Sequence, residues 1–275
     1  MGFQDLKILN ENLARIDAKQ QQINTLRSQN PDAYERVAWN WAVTSAYNSN
    51  AIEGSTMTLG DTALVFEGVD DLDADSDEIA QAKGAKAAIN YLRELLKIKA
   101  PLSETLILAI HKLVYEDALI EAARGSYRTT EVEITGTSFE PCPAMYVPER
   151  MAELIASIVS SKRHPAIVAA LFHLEFESIH PFVNANGRTG RLLSNYLLML
   201  NGYEPTNIQA SGRADYIAAL RAFQLNDDPY PFVRLFVDNL EQNIDKTIEL
   251  LTAAKRDSSS KAYSATLNYL RGADE

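Results

Sequence analysis

The sequence predicts an all-α protein with one small β-hairpin. Apolar residues recur at intervals of three and four positions, as in Leu102, Leu106 and Ile110, which is the periodicity of helices that bury one face. Prolines stand near the start of several such segments, where the missing N–H costs little. Between Gly125 and Pro148 the pattern changes to alternation around turn residues, which predicts the β-hairpin.

The periodic segments predict eight helices in one compact unit, because no linker divides the chain. Their expected limits are 37–53, 78–97, 103–119, 149–161, 165–179, 188–200, 211–224 and 231–253. A short last helix is expected over 263–270. We divide the unit into an N-terminal helical region (1–100), a core (101–240) and a C-terminal helical extension (241–275).

Charge and cysteine content narrow the function classes. The 275 residues include 26 Lys and Arg against 37 Asp and Glu, a formal net charge of −11. Such a surface repels polyanions, so we expect no nucleic-acid partner and no binding to an anionic membrane. The single cysteine, Cys142, excludes an internal disulfide, and no secretion signal is apparent. We therefore expect a cytoplasmic protein, and the sequence permits a homo-oligomer.

The densest group of reactive side chains is the segment HPFVNANGRTGR, residues 180–191. A helix is predicted to end before it, and another is predicted to start near Arg188. Free N–H groups at a helix start bind anions, and Arg188 and Arg191 lie one turn apart on the same helix. His180 precedes this anion site and has a side chain suited to proton abstraction near neutral pH. These parts predict phosphoryl or nucleotidyl transfer with a histidine base.

The segment resembles the signature of the Fic family, HPFx(D/E)GNGRxxR. The matching residues are His180, Pro181, Phe182, Asn186, Gly187, Arg188 and Arg191. The resemblance extends to residues 172–179 before the motif, to 125–128 and to 216–220, and so covers the chain from about Trp39 to Leu240. It implies a Fic-fold helical bundle in which the hairpin is the family's flap.

The resemblance also implies an activity, protein adenylyltransferase. His180 would take the proton from a Ser, Thr or Tyr hydroxyl of a target protein, and that oxygen would attack the α-phosphate of ATP. The target would dock on the flap by strand addition. The implied nucleotide-binding residues are Ala185, Asn186, Gly187, Arg188, Thr189, Gly190, Arg191 and Tyr216, the last either stacking near the adenine or packing in the core.

Two positions of the motif depart from the family pattern. Asn184 stands where the family has the Asp or Glu that binds Mg²⁺, and Ala185 stands where it has Gly. A neutral amide oxygen is a poorer ligand for a hard cation than a carboxylate. The resemblance therefore leaves open whether Mg²⁺ accompanies ATP and whether Asn184 is a metal ligand.

An N-terminal segment resembles the family's inhibitory motif, (S/T)xxxE(G/N). It is Ser49 to Gly54, in which Ser49 and Glu53 share one face at the end of a helix. The resemblance implies that Glu53 pairs with Arg191 and so inhibits the enzyme from within the chain. The alternatives are removal of AMP from modified protein, transfer of another phosphate-containing group, and a nucleotide-binding regulator with weak catalysis.

Overall fold

The computed structural model describes residues 3–69, 71–115 and 123–256, and in these ranges the chain is helical without a β-strand. None of the helices in these ranges is both long and apolar enough to cross a membrane. The helices are α1 (Phe3–Gln29), α2 (Pro31–Ile52), α3 (Leu59–Glu67), α4 (Ser76–Lys97), α5 (Glu104–Val114), α6 (Val147–Ser160), α7 (Pro165–Ile179), α8 (Asn186–Leu200), α9 (Arg213–Asn226) and α10 (Tyr230–Arg256).

Local sequence signals set the ends of these helices. The Asn30 side chain accepts the Ala33 N–H at the start of α2, with a proline at the first helical position. Thr58 and Asp61 form a reciprocal capping box at the start of α3. Gly68 ends α3 with a φ of 93°, a left-handed conformation that glycine adopts without a steric cost.

The all-α prediction is confirmed. Eight helices lie where they were expected, with ends displaced by a few residues except at α2, which begins at Pro31, and α5, which ends at Val114. The predicted helix over 263–270 lies outside the described residues. Helices α1 and α3 were not predicted, although the buried positions of α1 (Leu9, Leu13, Ile16, Gln20 and Ile23) follow the same spacing of three and four.

The predicted β-hairpin between Gly125 and Pro148 is wrong. The segment is an irregular loop that ends in a 3₁₀ turn over Ala144–Tyr146. Pro141 and Pro143 have no N–H to give to a strand ladder. Carbonyls in the loop instead accept hydrogen bonds from the Arg128 guanidinium, which reaches the oxygens of Thr130 and Cys142.

Two pairs of helices organise the core and position the motif. Helices α7 and α8 pack against each other along much of their length, and the loop between them contains residues 180–185. Helix α1 packs on α10, so the two ends of the described chain meet in one hydrophobic core. Helix α2 contacts α8 and α10, which brings the end of α2 to the α7–α8 loop.

The packing of α1 yields a stability prediction. Ile23 on α1 is fully buried, whereas the neighbouring Gln22 is exposed. Ile23→Ala removes buried apolar volume and should lower the free energy of unfolding by about 2–5 kcal/mol. Gln22→Ala, the matched control, should change it by less than about 0.5 kcal/mol. Denaturant unfolding checks both, and equal midpoints for the two variants would show that α1 does not share the core.

Candidate functional site

Strained backbone marks both ends of the α7–α8 loop. His180 ends α7 with a φ of 51°, and its N–H donates to the Phe176 carbonyl at 2.9 Å. Ala185 precedes α8 with a φ of 61°. A left-handed conformation costs a residue with a Cβ about 1–2 kcal/mol, and such strain concentrates at functional sites. The methyl side chain of Ala185 cannot cap α8, so no N-cap side chain competes with a ligand for the N–H groups of Asn186 and Gly187.

Asn186 fastens the loop from inside. Its side-chain amide donates to the Phe182 carbonyl at 2.8 Å and accepts the Phe182 N–H at 3.0 Å. Phe182 is fully buried, and its ring stacks on that of His111 with 3.6 Å between centroids. Asn186 therefore holds the loop in shape rather than offering its amide to a ligand.

His111 supports the same loop from α5. Its Nδ1 accepts the Gly125 N–H at 3.0 Å, so the proton is on Nε2, which donates to the Asn184 carbonyl at 3.2 Å. Burial lowers the pKa of His111 to about 4, which keeps the imidazole neutral.

Arg128 braces the backbone of His180. This buried guanidinium donates from Nε to the His180 carbonyl at 2.7 Å and from Nη2 to the Ile179 carbonyl at 3.3 Å. The Arg128 N–H donates to the Pro181 carbonyl at 2.9 Å. Residues 125–128 were recognised as part of the family pattern, but no role for Arg128 was predicted.

A cleft of about 310 Å³ opens beside the loop. Its lining comes from the end of α2, the 133–137 loop, the α7–α8 loop and α9, and it includes Glu53, Glu177, His180, Asn184, Ala185, Asn186, Gly187, Arg213 and Tyr216. Burial lowers the pKa of His180 to about 4. The imidazole is thus a neutral base at physiological pH.

Arg191 is held by the end of α2. Its Nη2 donates to Glu53 Oε1 at 2.7 Å and to the Ser49 carbonyl at 2.9 Å, and its Nε donates to Ser49 Oγ at 3.0 Å. The Arg191 side chain is 7% exposed and that of Glu53 is 41% exposed. Although burial opposes its charge, Arg191 keeps the pKa of Glu53 below its ordinary value. The carboxylate is therefore ionised and paired.

Tyr216 is a further hydrogen-bond partner of Arg191. Its hydroxyl accepts from Arg191 Nη1 at 3.1 Å and lies 2.7 Å from His173 Nε2. Burial lowers the pKa of His173 to about 3, so this nitrogen accepts the Tyr216 proton. Tyr216 itself is buried. The guanidinium is thereby fixed by the end of α2 and by Tyr216 of α9, and Glu53 is the partner that faces the cleft.

Glu53 lies between Arg191 and the cleft. Glu53 lines the cleft and Arg191 does not, although Arg191 is one of the implied phosphate ligands. A Cβ added at Gly187 would collide with Glu53 Oε1 and lie 2.9 Å from Arg191 Nη1, so a larger residue there would have to displace the ion pair. Arg213 closes the end of α2, because its Nε donates to the Ile52 carbonyl at 2.6 Å.

The residues present do not fit a bound Mg²⁺. Asn184 Oδ1 accepts the N–H of Ala185 at 2.6 Å, so that oxygen is already engaged. The described residues contain no group of three or more His, Cys, Asp or Glu side chains placed to share a metal ion. Glu53 is paired with Arg191, and burial together with the charge of Glu53 raises the pKa of Glu177 to about 8. A neutral amide and a protonated carboxyl are poor ligands for a hard cation.

The structure separates the implied nucleotide-binding residues into two groups. Ala185, Asn186, Gly187 and Tyr216 line the cleft. Arg188, Thr189, Gly190 and Arg191 are not part of that lining. Thr189 is fully buried, and a Cβ on Gly190 would lie 3.0 Å from His173. Glu177 and Arg213 line the cleft but were not predicted, because a lone Glu or Arg on a predicted helix carries no signal of its own.

Comparison with known sequences identifies the family. Residues 101–198 match the model of the Fic/DOC family. Over 237 residues the chain is 34% identical to protein adenylyltransferase Fic of Drosophila willistoni and 33% identical to that of Drosophila melanogaster. Each match covers 85% of this chain and 47% of the relative. The chain thus spans about half the length of these curated relatives.

Solved structures agree with this result. Fic-1 from C. elegans superposes with a TM-score of 0.76 at 28% identity, covering 92% of this chain and 74% of that one. A Fic-domain signaling protein from Bacteroides thetaiotaomicron superposes with a TM-score of 0.74 at 24% identity, covering 89% of this chain and 97% of that one, and it supports the fold alone. From the motif, the fold and the relatives together, residues 101–198 of the chain form a domain of the Fic/DOC family.

Proposed function

We propose that the chain is a self-inhibited protein adenylyltransferase, which transfers AMP from ATP to a Ser, Thr or Tyr hydroxyl of a target protein. The observation that carries this proposal is the 2.7 Å ion pair of Arg191 with Glu53 beside the His180 cleft. An arginine suited to a phosphate is held instead by a carboxylate of the same chain. The names and similarity of the curated relatives support the activity.

The proposed reaction uses His180 as the base. Nε2 takes the proton of the target hydroxyl while its oxygen bonds to the α-phosphorus. The bond from that phosphorus to the β-bridging oxygen breaks, and pyrophosphate leaves with the electron pair. A neutral imidazole is required at the start, which the lowered pKa of His180 provides.

The N-terminus of α8 is the site that we propose for the triphosphate. The N–H groups of Asn186 and Gly187, which no side chain caps, and the helix dipole attract phosphate oxygens. When Glu53 is displaced, the Arg191 guanidinium can donate two hydrogen bonds to a phosphate. The Glu53 carboxylate and the phosphate compete because both bind the same guanidinium. The segment 180–191 that contains Asn184 has no Asp or Glu to offer Mg²⁺ a carboxylate.

The 133–137 loop is the surface that we propose for the target. Its residues Glu133, Ile134, Thr135 and Thr137 line the cleft near His180. Between residues 129 and 142 the described backbone makes one backbone–backbone hydrogen bond, from the Thr137 N–H to the Ile134 carbonyl at 3.4 Å. Side chains occupy the Thr130, Gly136 and Cys142 carbonyls and the Phe139 N–H, which leaves the backbone of residues 131–133 available to an added strand of the target. The cytoplasmic location and a homo-oligomer remain predictions from the sequence.

Removing the inhibitory carboxylate should release the activity. Glu53→Gly frees Arg191 for phosphate, and a charge-assisted hydrogen bond of about 1.5–3 kcal/mol corresponds to roughly a 10- to 100-fold gain in self-modification by ATP. Intact-mass spectrometry after incubation with ATP measures the gain. His180→Ala in the same background should abolish it.

Glu67→Gly is the matched control, because it removes an exposed helix-end glutamate of α3, away from the described cleft. It should leave the low activity of the parent chain unchanged. Nucleotide binding without transfer by the Glu53→Gly variant would contradict the proposal and favour the regulator. Loss of AMP from a modified protein, without its addition, would favour the reverse reaction.

The pH profile should show a base with a lowered pKa. Because His180 acts as a neutral base with a pKa of about 4, kcat/KM of the Glu53→Gly variant should stay within about twofold from about pH 7.5 to pH 5.5. It should fall only as pH approaches the pKa. A histidine of ordinary pKa would lose about tenfold at pH 5.5. Self-modification rates across this range test the prediction, and a midpoint near pH 6.5 would contradict it.

A further inference from the structure

A buried carboxyl lies beside the proposed base. Glu177 is in the last turn of α7, three residues before His180, a spacing that places both side chains on one side of the helix end. Its Oε2 is 3.9 Å from His180 Nδ1, the ring nitrogen not needed for proton abstraction. Glu177 also lines the cleft. The carboxyl is thus one small movement from a hydrogen bond with the imidazole.

Both partners have unmet hydrogen-bonding capacity. Among the described residues, Glu177 Oε1 and His180 Nδ1 are buried without a hydrogen-bond partner. Buried polar atoms in folded proteins are almost always paired, since each one left unpaired costs about 1–3 kcal/mol. Two such atoms on neighbouring side chains therefore indicate a contact that closes when the site is in its working arrangement.

We propose that Glu177 is a positioning residue, whose carboxyl accepts a hydrogen bond from His180 Nδ1 and so leaves the Nε2 lone pair directed at the target hydroxyl. The proposal rests on the proposed function, because it concerns the same base. A histidine base works only in the tautomer that keeps its reacting nitrogen unprotonated, and the hydrogen bond at the other nitrogen selects that tautomer.

The charged groups around Glu177 favour its neutral carboxyl form, and that form can accept a hydrogen bond from His180. The groups that act on it are Glu53, Arg191, His180 and Tyr216. Burial first, and then the charge of Glu53, raise the pKa of Glu177 to about 8, against the lowering effect of Arg191. The carboxyl is thus neutral near pH 7 and its carbonyl oxygen is an acceptor. Glutamine offers the same acceptor in the same shape.

The kinetic experiment uses the full chain carrying Glu53→Gly, with Glu177→Ala or Glu177→Gln added. Glu177→Ala should lower kcat for self-modification by at least about tenfold, within the ~10⁴-fold limit set by a wrong tautomer, with KM for ATP unchanged. Glu177→Gln keeps a neutral carbonyl acceptor in the same position and should stay within about threefold of the background. The backbone of Glu177 also favours the charged form of His180, and both variants keep that backbone. A loss of kcat in the alanine variant but not in the glutamine variant therefore shows that the Glu177 side chain, and not its backbone, is responsible.

Glu175→Ala is the control on the same helix, because Glu175 does not line the cleft. It should leave kcat unchanged. Equal kcat for Glu177→Ala and the background would overturn the proposal. An equal loss of kcat in the glutamine and alanine variants would also overturn the proposal. That result would mean that catalysis needs a carboxyl group at position 177 and not merely a hydrogen-bond acceptor.

A second measurement does not depend on activity. Nitrogen-15 NMR of histidine-labelled chain reports the tautomer of each of the four histidines, and His180→Gln identifies the signal of His180. His180 should carry its proton on Nδ1 in the parent chain and in Glu177→Gln, and should shift toward the Nε2–H form in Glu177→Ala. An unchanged tautomer would overturn the inference even if the chain transfers no AMP. A changed tautomer in an inactive chain would support it while the proposed function fails.

Discussion

The ion pair between Arg191 and Glu53 is the contact on which the rest of the site depends. Arg191 is buried and charged, and such a group is stable only when its guanidinium is fully paired. Ser49 and Glu53 from α2 and Tyr216 from α9 supply that pairing. A triphosphate offers the same kind of anion. Under the proposed function, either the Glu53 carboxylate or a phosphate completes the pairing of Arg191, and the two exclude each other.

The loop that contains His180 is stiff because supports from separate parts of the chain converge on it. Asn186 ties both backbone groups of Phe182, His111 stacks on that ring, and Arg128 holds the carbonyl of His180. These contacts compensate for the left-handed conformations at His180 and Ala185. A rigid loop of this kind suits in-line attack, which depends on the placement of the reacting atoms more than on the strength of the base.

Much of this arrangement is predictable from the sequence, because local patterns determine it. The spacing of apolar residues gave eight of the ten described helices, and the motif at 180–191 gave the family. The hairpin failed because Pro141, Pro143 and the buried Arg128 remove or occupy the groups that a strand ladder needs. Glu177 was missed for another reason: its spacing of three residues places it near His180, but its burial in the cleft follows from tertiary packing, which no spacing along the chain reports.

In the proposed mechanism the Glu53 carboxylate and a phosphate of ATP compete for Arg191, and titration calorimetry with ATP measures that competition directly. ATP should bind the Glu53→Gly chain at least about tenfold more tightly than the parent chain, the equivalent of about 1.4 kcal/mol. Adding Arg191→Ala should cancel this gain, because the carboxylate and the phosphate then have no common partner. Equal ATP affinities for the parent and Glu53→Gly chains would contradict the account, as would a gain that persists without Arg191.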